Sequence, residues 1–405
     1  PAFAVGMFFP GPYRIPIANF TAKVVLSNTP GRTAYRGPWQ FESVAREMLM
    51  DCAARQMGMD PIELRRKNMI THEELPTANA IGFPYENISP LETLNQAVEM
   101  LGYEEFRAKQ AEAFAEGRLL GVGTSTYVEP TSAGAGFYGS EGATIRIEPS
   151  GKVNVYVAGG STGNSLETTV IQLAADALGV NIEDVNTIQG DTAVTPFGAG
   201  TGGSRSGSMT AGAVGQVAAT LREKLVAIAA HHLEAAEADI ELSESRASVR
   251  GTPSAGVSIE ELANKAYFNP GALPEGMEPG LEASGRYKAQ SAAVPANASH
   301  LCTVEVDPVT GHVEILRYIV SEDCGKMINP NVVEGQIAGG SVQGIGGALL
   351  EQLYWDADGN PLVTTFVDYL LPTATEVPTI EYGHIETPAN GPGGYKGVAP
   401  AGIRV

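Results

Sequence analysis

The sequence predicts an α+β fold in which helices cover mixed β-sheets. Residues 143–148 and 152–157 alternate apolar and polar side chains on either side of a Pro-Ser-Gly turn, which is typical of paired strands. Residues 41–58 carry apolar side chains at helical spacing. With 405 residues and no internal repeat, the chain is long enough for roughly two or three globular domains.

The first part of the chain is predicted to be mainly helical. Residues 1–40 contain short extended stretches, such as residues 22–26, and a helix follows over residues 41–58. Another helix begins directly after it, because residues 60–63 (DPIE) supply an N-cap, a proline in the first turn and a glutamate that reaches back. Residues 89–92 (SPLE) repeat this signal, so a further helix is expected to reach about residue 115.

The pattern changes near Gly117, so we place a domain boundary there and predict the domains 1–118 and 119–405. Strands are predicted across the first forty residues of the second domain, followed by helices and a strand pair that turns at an Asp-Pro-Val-Thr-Gly sequence. The predicted elements are strands over 119–158, helices over 165–178 and 209–236, strands over 303–307 and 313–320, and a helix over 335–351.

Charge and composition exclude several classes of function. The net charge of −20 would repel a polyanion, so no nucleic-acid partner is expected. The chain contains no membrane span, because no run of ~18 apolar residues occurs. The N-terminus lacks the basic start of a signal peptide and also lacks methionine, as if cut from a longer chain. The three cysteines, without a C-x-x-C pair, favour the reducing cytoplasm and argue against an iron–sulfur cluster or a protein-bound metal here.

Glycine is concentrated in four clusters, at residues 159–168, 198–208, 335–347 and 391–397. All but the last open into a predicted helix, and helix N-termini with serine-lined loops can hold an extended, phosphate-bearing cofactor. We therefore interpret the clusters as parts of one large cofactor site, provided that the fold brings them together.

Two of these clusters also match other motifs. Residues 198–203 fit G-x-G-x-x-G, but Pro196 interrupts the apolar strand that a nicotinamide dinucleotide site requires before it. Residues 159–163 (GGSTG) fit G-x-S-x-G between a strand and a helix, so a serine hydrolase with Ser161 as nucleophile and His384 as base is an alternative.

Ordered motifs along nearly the whole chain resemble the molybdopterin-binding large subunit of the xanthine dehydrogenase, aldehyde oxidase and aerobic carbon monoxide dehydrogenase family, in its C-terminal portion. These motifs are TAYRGPW at 33–39, RRKN at 65–68, GDT at 190–192, TGGSRS at 201–206, EDCG at 322–325, INP at 328–330, VEGQ at 333–336, VQGIG at 342–346 and GYKG at 394–397.

The resemblance implies two molybdopterin-binding lobes and a molybdenum hydroxylase activity. A molybdenum–molybdopterin cofactor, usually a cytosine dinucleotide in bacterial members, would insert water-derived oxygen into an aldehyde or N-heterocycle while a glutamate acts as base. Electrons would pass to 2Fe-2S and FAD groups on partner subunits. The N-terminal half of the large subunit is a further implied partner, and cytoplasmic location is expected.

The resemblance also assigns roles to individual residues. Arg36 matches an active-site arginine that stabilises negative charge on the substrate, in a pocket with Tyr35 and Trp39. Gly37 stands where carbon monoxide dehydrogenases carry a copper-binding cysteine, so copper-assisted oxidation of carbon monoxide is not expected. Cofactor contacts are assigned to Gly163, Asn164, Ser165, Gly202, Gly203, Ser204, Ser206, Gln343, Gly344, Lys396 and Gly397.

Three details qualify this assignment. Ser204 and Ser206 are expected to donate hydrogen bonds to pterin or phosphate oxygens. Asn164 and Leu166 stand where many relatives carry glutamine and histidine, which implies weakened or rearranged pterin contacts. The expected catalytic glutamate is absent after Val398, where Ala399 and Pro400 follow.

The absence of that glutamate leaves two explanations open. One is that two segments are joined between Val398 and Ala399, with the stretch that holds the base missing. The other is a true deletion, which would make the chain an inactive, cofactor-free homologue that acts as an assembly subunit.

Overall fold

The structure is a computed structural model that describes residues 2–26, 39–131, 139–288 and 293–398. Its helices are α1 (Ala2–Phe8), α2 (Trp39–Met57), α3 (Pro61–Asn68), α4 (Pro90–Leu101), α5 (Tyr103–Ala115), α6 (Leu166–Leu178), α7 (Ala211–Leu233), α8 (Ile259–Phe268) and α9 (Pro330–Leu349). Its strands are β1 (Thr77–Ala78), β2 (Pro84–Tyr85), β3 (Leu119–Thr131), β4 (Ser140–Ile147), β5 (Val153–Val157), β6 (Val185–Gln189), β7 (Ile240–Ser243), β8 (Arg246–Val249), β9 (Thr252–Ser258), β10 (Glu282–Lys288), β11 (Val294–Val306), β12 (Val313–Asp323) and β13 (Ile380–His384).

One four-stranded sheet has the order β10-β4-β5-β6. Strand β4 runs antiparallel to β10 and β5, whereas β5 and β6 are parallel because α6 forms the crossover between them. The inward side chains of β4 and β5, such as Ile145 and Val155, are fully buried in the core that α6 and α7 help to form. The small sheet β7-β8-β9 and helix α8 extend the same core.

The second four-stranded sheet has the order β13-β12-β11-β3 and is covered on both faces. Leu301 and Ile319, which are paired across β11 and β12, belong to the cluster that contains Leu94 of α4. Their neighbours along the strands, Cys302 and Tyr318, belong to a different cluster, which contains α9. Alternate side chains of the strands therefore face different helices, and α9 lies on the face opposite α4.

The α+β prediction is confirmed, as are helices α2, α3, α6 and α7. Asp60 caps α3 as expected, since its Oδ1 accepts hydrogen bonds from the N–H groups of Ile62 (2.8 Å) and Glu63 (3.2 Å). The single helix expected from Pro90 to about residue 115 is wrong: Gly102 adopts a left-handed conformation (φ 66°) that ends α4 and begins α5.

The prediction for the first forty residues is only partly correct. Residues 22–26 form no strand and are exposed, and residues 2–8 form helix α1, which the sequence analysis did not predict. The expected domain boundary falls in the turn between α5 and β3 and stays a prediction. Across the described ranges, no helix combines the length and hydropathy that crossing a lipid bilayer requires.

Candidate functional site

A cavity of about 470 Å³ lies where four distant segments of the chain meet. The segments are the end of β3, the loop before α6, the loop before α7 and the connection from β12 to α9, with the chain after Tyr395 closing the wall. The cavity is lined by Glu129, Thr162, Asn164, Leu166, Thr169, Thr201, Gly202, Gly203, Ser204, Arg205, Ser206, Gly207, Cys324, Lys326, Met327, Ile328, Asn329, Val332, Val333, Gln336, Lys396 and Val398. Residues of all four glycine clusters therefore contribute to one site.

Three helices direct their N-terminal ends at this cavity. Helix α6 begins at its wall with Leu166, helix α9 contributes Val332 and Val333 from its first turn, and helix α7 is preceded by a π-helical turn, Ser206–Thr210, that starts in the wall. No side chain caps the N-terminus of α6 or of α7. The first backbone N–H groups of α6 can therefore bind an anion, which the helix dipole also favours, whereas the Ala211 N–H at the start of α7 already donates to the Ser208 carbonyl oxygen.

Glycine is required where the loops of the wall touch through their backbones. A Cβ atom on Gly325 would lie 2.5 Å from the carbonyl oxygen of Gly394, and a Cβ atom on Gly207 would lie 2.9 Å from that of Lys396. A Cβ atom on Gly397 would overlap the carbonyl oxygen of Ser204. At Gly207, Gly325 and Gly397 a larger residue would therefore separate the segments that form the wall.

The Lys396 side chain is fixed by a buried ion pair. Its Nζ donates to Asp323 Oδ1 at 3.1 Å and to the Asn87 carbonyl oxygen at 2.5 Å, and both charged side chains are fully buried. Asp323 also accepts hydrogen bonds from Ser89 Oγ and from the Gly325 N–H. Burial lowers the pKa of Lys396, and the adjacent Asp323 carboxylate opposes this shift. This one carboxylate thus joins three chain segments, those of Ser89, Gly325 and Lys396, beside the cavity.

The serine hydroxyls of the loop before α7 are hydrogen-bonded within the protein. Ser204 Oγ donates to Glu129 Oε1 at 3.3 Å. Thr201 Oγ1 donates its proton to the Gly160 carbonyl oxygen, so in its 3.2 Å contact with Ser206 it acts as the acceptor. Both serine protons are therefore used, and the oxygen lone pairs remain for a ligand donor. The expectation that these hydroxyls donate to a ligand does not match this arrangement.

The residues predicted from the sequence divide into three groups. Those in the wall of the cavity are Asn164, Gly202, Gly203, Ser204, Ser206 and Lys396. Those next to or outside it are Gly163 and Ser165, which turn the chain into α6 with positive φ angles, Gly397, which packs on Ser204, and Gln343 and Gly344 in the second half of α9. Arg36, Tyr35, Gly37, the side chain of Trp39 and the junction of Val398 with Ala399 lie outside the described residues.

The structure also brings in residues that the sequence analysis missed. Asn329 lies within the INP motif at 328–330 and Lys326 directly follows the EDCG motif at 322–325, so their positions in the chain could have drawn attention to them. Glu129, a buried acid at the end of β3, carries no such signal. Leu166 is buried in the hydrophobic core while it lines the cavity, which explains why an apolar residue is accommodated there.

The side chains proposed for a serine hydrolase have other partners. The Ser161 N–H donates to Gln189 Oε1 at 3.0 Å, and its hydroxyl hydrogen-bonds the Glu167 carboxylate, which contributes to the lowered pKa of Glu167. His384 Nε2 lies 3.5 Å from Glu334 Oε1. The geometry therefore pairs Ser161 with a carboxylate rather than with the expected histidine base.

Known proteins match the chain in both sequence and structure. Two families, both described as molybdopterin cofactor-binding domains, match residues 2–69 and 96–378. The nicotine 6-hydroxylase large subunit of Paenarthrobacter nicotinovorans is 39% identical over 405 residues, covering 97% of this chain and 49% of that protein. The carbon monoxide dehydrogenase large chain of Hydrogenophaga pseudoflava is 35% identical over 415 residues, covering 98% and 51%.

Among solved structures, quinoline 2-oxidoreductase from Pseudomonas putida 86 superimposes with a TM-score of 0.85 and 39% identity, covering 92% of this chain and 48% of that one. The chain thus spans about half the length of the curated relatives it matches. The match of a cofactor-binding family to most of the chain agrees with a cavity built from glycine loops and helix N-termini. The chain therefore belongs to the family of molybdopterin-binding large subunits that includes carbon monoxide dehydrogenase and xanthine dehydrogenase.

Proposed function

We propose that this chain is the C-terminal half of the large subunit of a molybdenum hydroxylase that oxidises an aldehyde or an N-heterocycle with water-derived oxygen. The observation that carries the proposal is the convergence of the glycine loops and three helix N-termini on one cavity. The relatives named for nicotine and quinoline support an N-heterocyclic substrate.

The residues present fit a molybdopterin cytosine dinucleotide. Its phosphates would lie against the uncapped N–H groups of α6, with Lys326 as a cation in the same wall. Ser204 and Ser206 would accept hydrogen bonds from N–H groups of the pterin, since their own protons are used by Glu129 and Thr201. Glycine at 202 and 203 allows the ligand to approach the backbone closely. We retain Gly163, Ser165, Gln343, Gly344 and Gly397 as proposed contacts.

Apolar side chains also shape the cavity. Met327, Ile328 and Val398 line the cavity together with the polar loops, so the site combines hydrogen-bonding groups with apolar side chains. When bound, the molybdenum cofactor supplies the Lewis acid and the electron acceptor for the reaction. By family resemblance, Arg36 stabilises negative charge on the substrate beside Tyr35 and Trp39, and the glutamate expected after Val398 serves as base.

We propose that iron–sulfur and flavin subunits and the N-terminal half of the large subunit complete the enzyme. Phe366 and Val367, in the segment between α9 and β13, are 77% and 84% exposed. A dense run of exposed apolar side chains is typical of a surface that another polypeptide covers.

The proposal includes domains at 1–118 and 119–405, and a reducing, cytoplasmic location supported by three free cysteines.

An inactive assembly subunit is the second candidate, because Ala399 and Pro400 stand where the resemblance places the catalytic glutamate. Metal and nucleotide analysis of the purified full-length complex separates the candidates. The hydroxylase predicts about one molybdenum and one releasable cytidine monophosphate per large subunit, whereas an inactive homologue contains neither. Labelling of Ser161 by a fluorophosphonate, without molybdenum, would instead favour the hydrolase.

A further inference from the structure

A second buried ion pair joins the loop that precedes α7 to strand β4, and its arginine, Arg205, also contributes to the cavity wall. Arg205, 2% exposed, forms an ion pair with Glu141 of β4, which is completely buried. The same guanidinium donates to the carbonyl oxygens of Gly200 at 2.8 Å and Ser140 at 3.2 Å. The Arg205 side chain thus connects the loop both to its own backbone and to the first residue of β4.

The backbone around this pair is shaped to accept it. A Cβ atom on Gly198 would overlap the Glu141 carboxylate, so glycine lets the loop pass directly over the acid. The carbonyl oxygen of Arg205 accepts hydrogen bonds from the N–H groups of Ser208 (3.2 Å) and Met209 (2.7 Å), which begins the π-helical turn. Arg205 therefore fixes the loop through its side chain and directs the entry into α7 through its backbone.

The location of the pair links it to the cavity. Ser204 and Ser206, the residues on either side of Arg205, line the wall with Gly202 and Gly203. The hydroxyl directions and exposed N–H groups of this wall depend on the loop conformation. The loop is rich in glycine, whose backbone is unusually free, so the bonds that Arg205 makes to Glu141, Gly200 and Ser140 restrict its conformation beyond the weaker hydroxyl contacts of Thr201 and Ser204.

We propose that Arg205 and Glu141 are positioning residues for the cofactor: their ion pair holds residues 198–207 in the conformation that binds the pterin and its phosphates. This proposal rests on the proposed function for its ligand, but the clamp itself is a property of the protein. It predicts that weakening the pair shortens the lifetime of the bound cofactor more than it destabilises the fold.

The first test replaces Arg205 by lysine, which keeps the positive charge but cannot reach the carboxylate and both carbonyl oxygens together. The matched control is Arg65→Lys, because Arg65 is also fully buried, pairs with Glu47 and donates to the Thr124 carbonyl oxygen, yet lies outside the cavity wall. Both variants are prepared as the full complex, and the loss of molybdenum and cytidine monophosphate is followed over time.

We expect Arg205→Lys to lose its cofactor at least tenfold faster than Arg65→Lys, with each variant measured at the same number of degrees below its own thermal unfolding midpoint. Equal rates of loss would overturn the proposal. A double variant, Glu141→Met with Arg205→Met, extends the test, since an apolar pair often replaces a buried ion pair without loss of stability. Retention of both fold and cofactor in that variant would also overturn it.

Hydrogen exchange separates this proposal from the proposed function. Amides of residues 200–206 should exchange at least tenfold faster in Arg205→Lys than in the wild type, measured on protein stripped of cofactor. If the wild type carries no molybdenum and no cytidine nucleotide while exchange responds as expected, the proposed function fails and the clamp stands. Unchanged exchange in the variant refutes the clamp, whatever the cofactor content.

Discussion

Replacing Gly325 by alanine should damage the cavity wall in two distinguishable ways. Gly325 has a φ of 69°, where an L-residue costs about 1–2 kcal/mol. Its new Cβ atom would also lie 2.5 Å from the Gly394 carbonyl oxygen and 2.9 Å from Lys396 Cγ. Since Cβ contacts below 3.0 Å are essentially never seen, the chain at residue 394 must move by at least about 0.5 Å.

Neighbouring hydrogen bonds limit how far the chain can move to relieve this contact. The Gly394 carbonyl oxygen already accepts hydrogen bonds from the N–H groups of Lys326 (3.1 Å) and Ala389 (3.0 Å), and the Lys396 N–H just after it donates to the Cys324 carbonyl oxygen at 3.1 Å, so the contact point is held by several bonds. Overpacking of this kind costs about 1–3 kcal/mol in addition to the backbone strain. We therefore expect a total loss of about 2–5 kcal/mol in the free energy of unfolding.

Gly311 provides the matched control. It lies in the turn between β11 and β12 with a φ of 74°, and a Cβ atom there would have no neighbour within 4 Å. Gly311→Ala should lose only the strain of about 1–2 kcal/mol and keep its cofactor. Urea unfolding and molybdenum content of both variants are the assays. Equal losses of stability with equal cofactor content would refute the packing argument for Gly325.

Three further predictions concern other residues. Arg36→Ala should keep molybdenum but lower kcat/KM by several orders of magnitude, about 3–5 kcal/mol of transition-state stabilisation; joint loss of metal and activity would make Arg36 structural. Gly203→Val should abolish cofactor retention and spare the fold of residues 300–390, because a β-branched residue cannot adopt its φ of 58° without strain. Burial lowers the pKa of His300 from 6.5 to about 3. As the pH falls from 6.5 to 3, the unfolded chain therefore binds a proton at this residue that the folded chain does not bind, and the free energy of unfolding decreases. His300→Asn should flatten that part of the urea-unfolding profile, and an unchanged slope would contradict this explanation.

Local signals in the sequence predicted much of the fold. The Asp60 cap and the helix predicted over residues 165–178 rest on short-range features, and both occur as expected, since α6 ends at Leu178. The break at Gly102 was missed although glycine at a helix end is itself a signal. Strand β11 begins at Val294, well before the predicted residue 303. The sequence missed its first half because those residues are buried on both faces and show no alternation of apolar and polar side chains.

The same distinction between local and long-range signals applies to the candidate site. Residues in glycine motifs, such as Ser204 and Lys396, could be assigned from the sequence because their motifs are local and ordered. Glu141 and Asp323 could not be assigned functional partners, since Glu141 pairs with Arg205 across 64 positions and Asp323 pairs with Lys396 across 73. A lone acidic residue in a strand carries no signal for a pairing that only the tertiary fold creates.

The wall of the cavity has a consequence for how the protein is made. Gly397 donates to Thr131 across 266 positions of the chain, and Lys396 closes the same wall. When only the first glycine loops have been synthesised, the segment that contains Lys396 does not yet exist, so the wall of the cavity is incomplete. If this cavity holds the proposed cofactor, we therefore expect insertion to follow synthesis of both ends of this region.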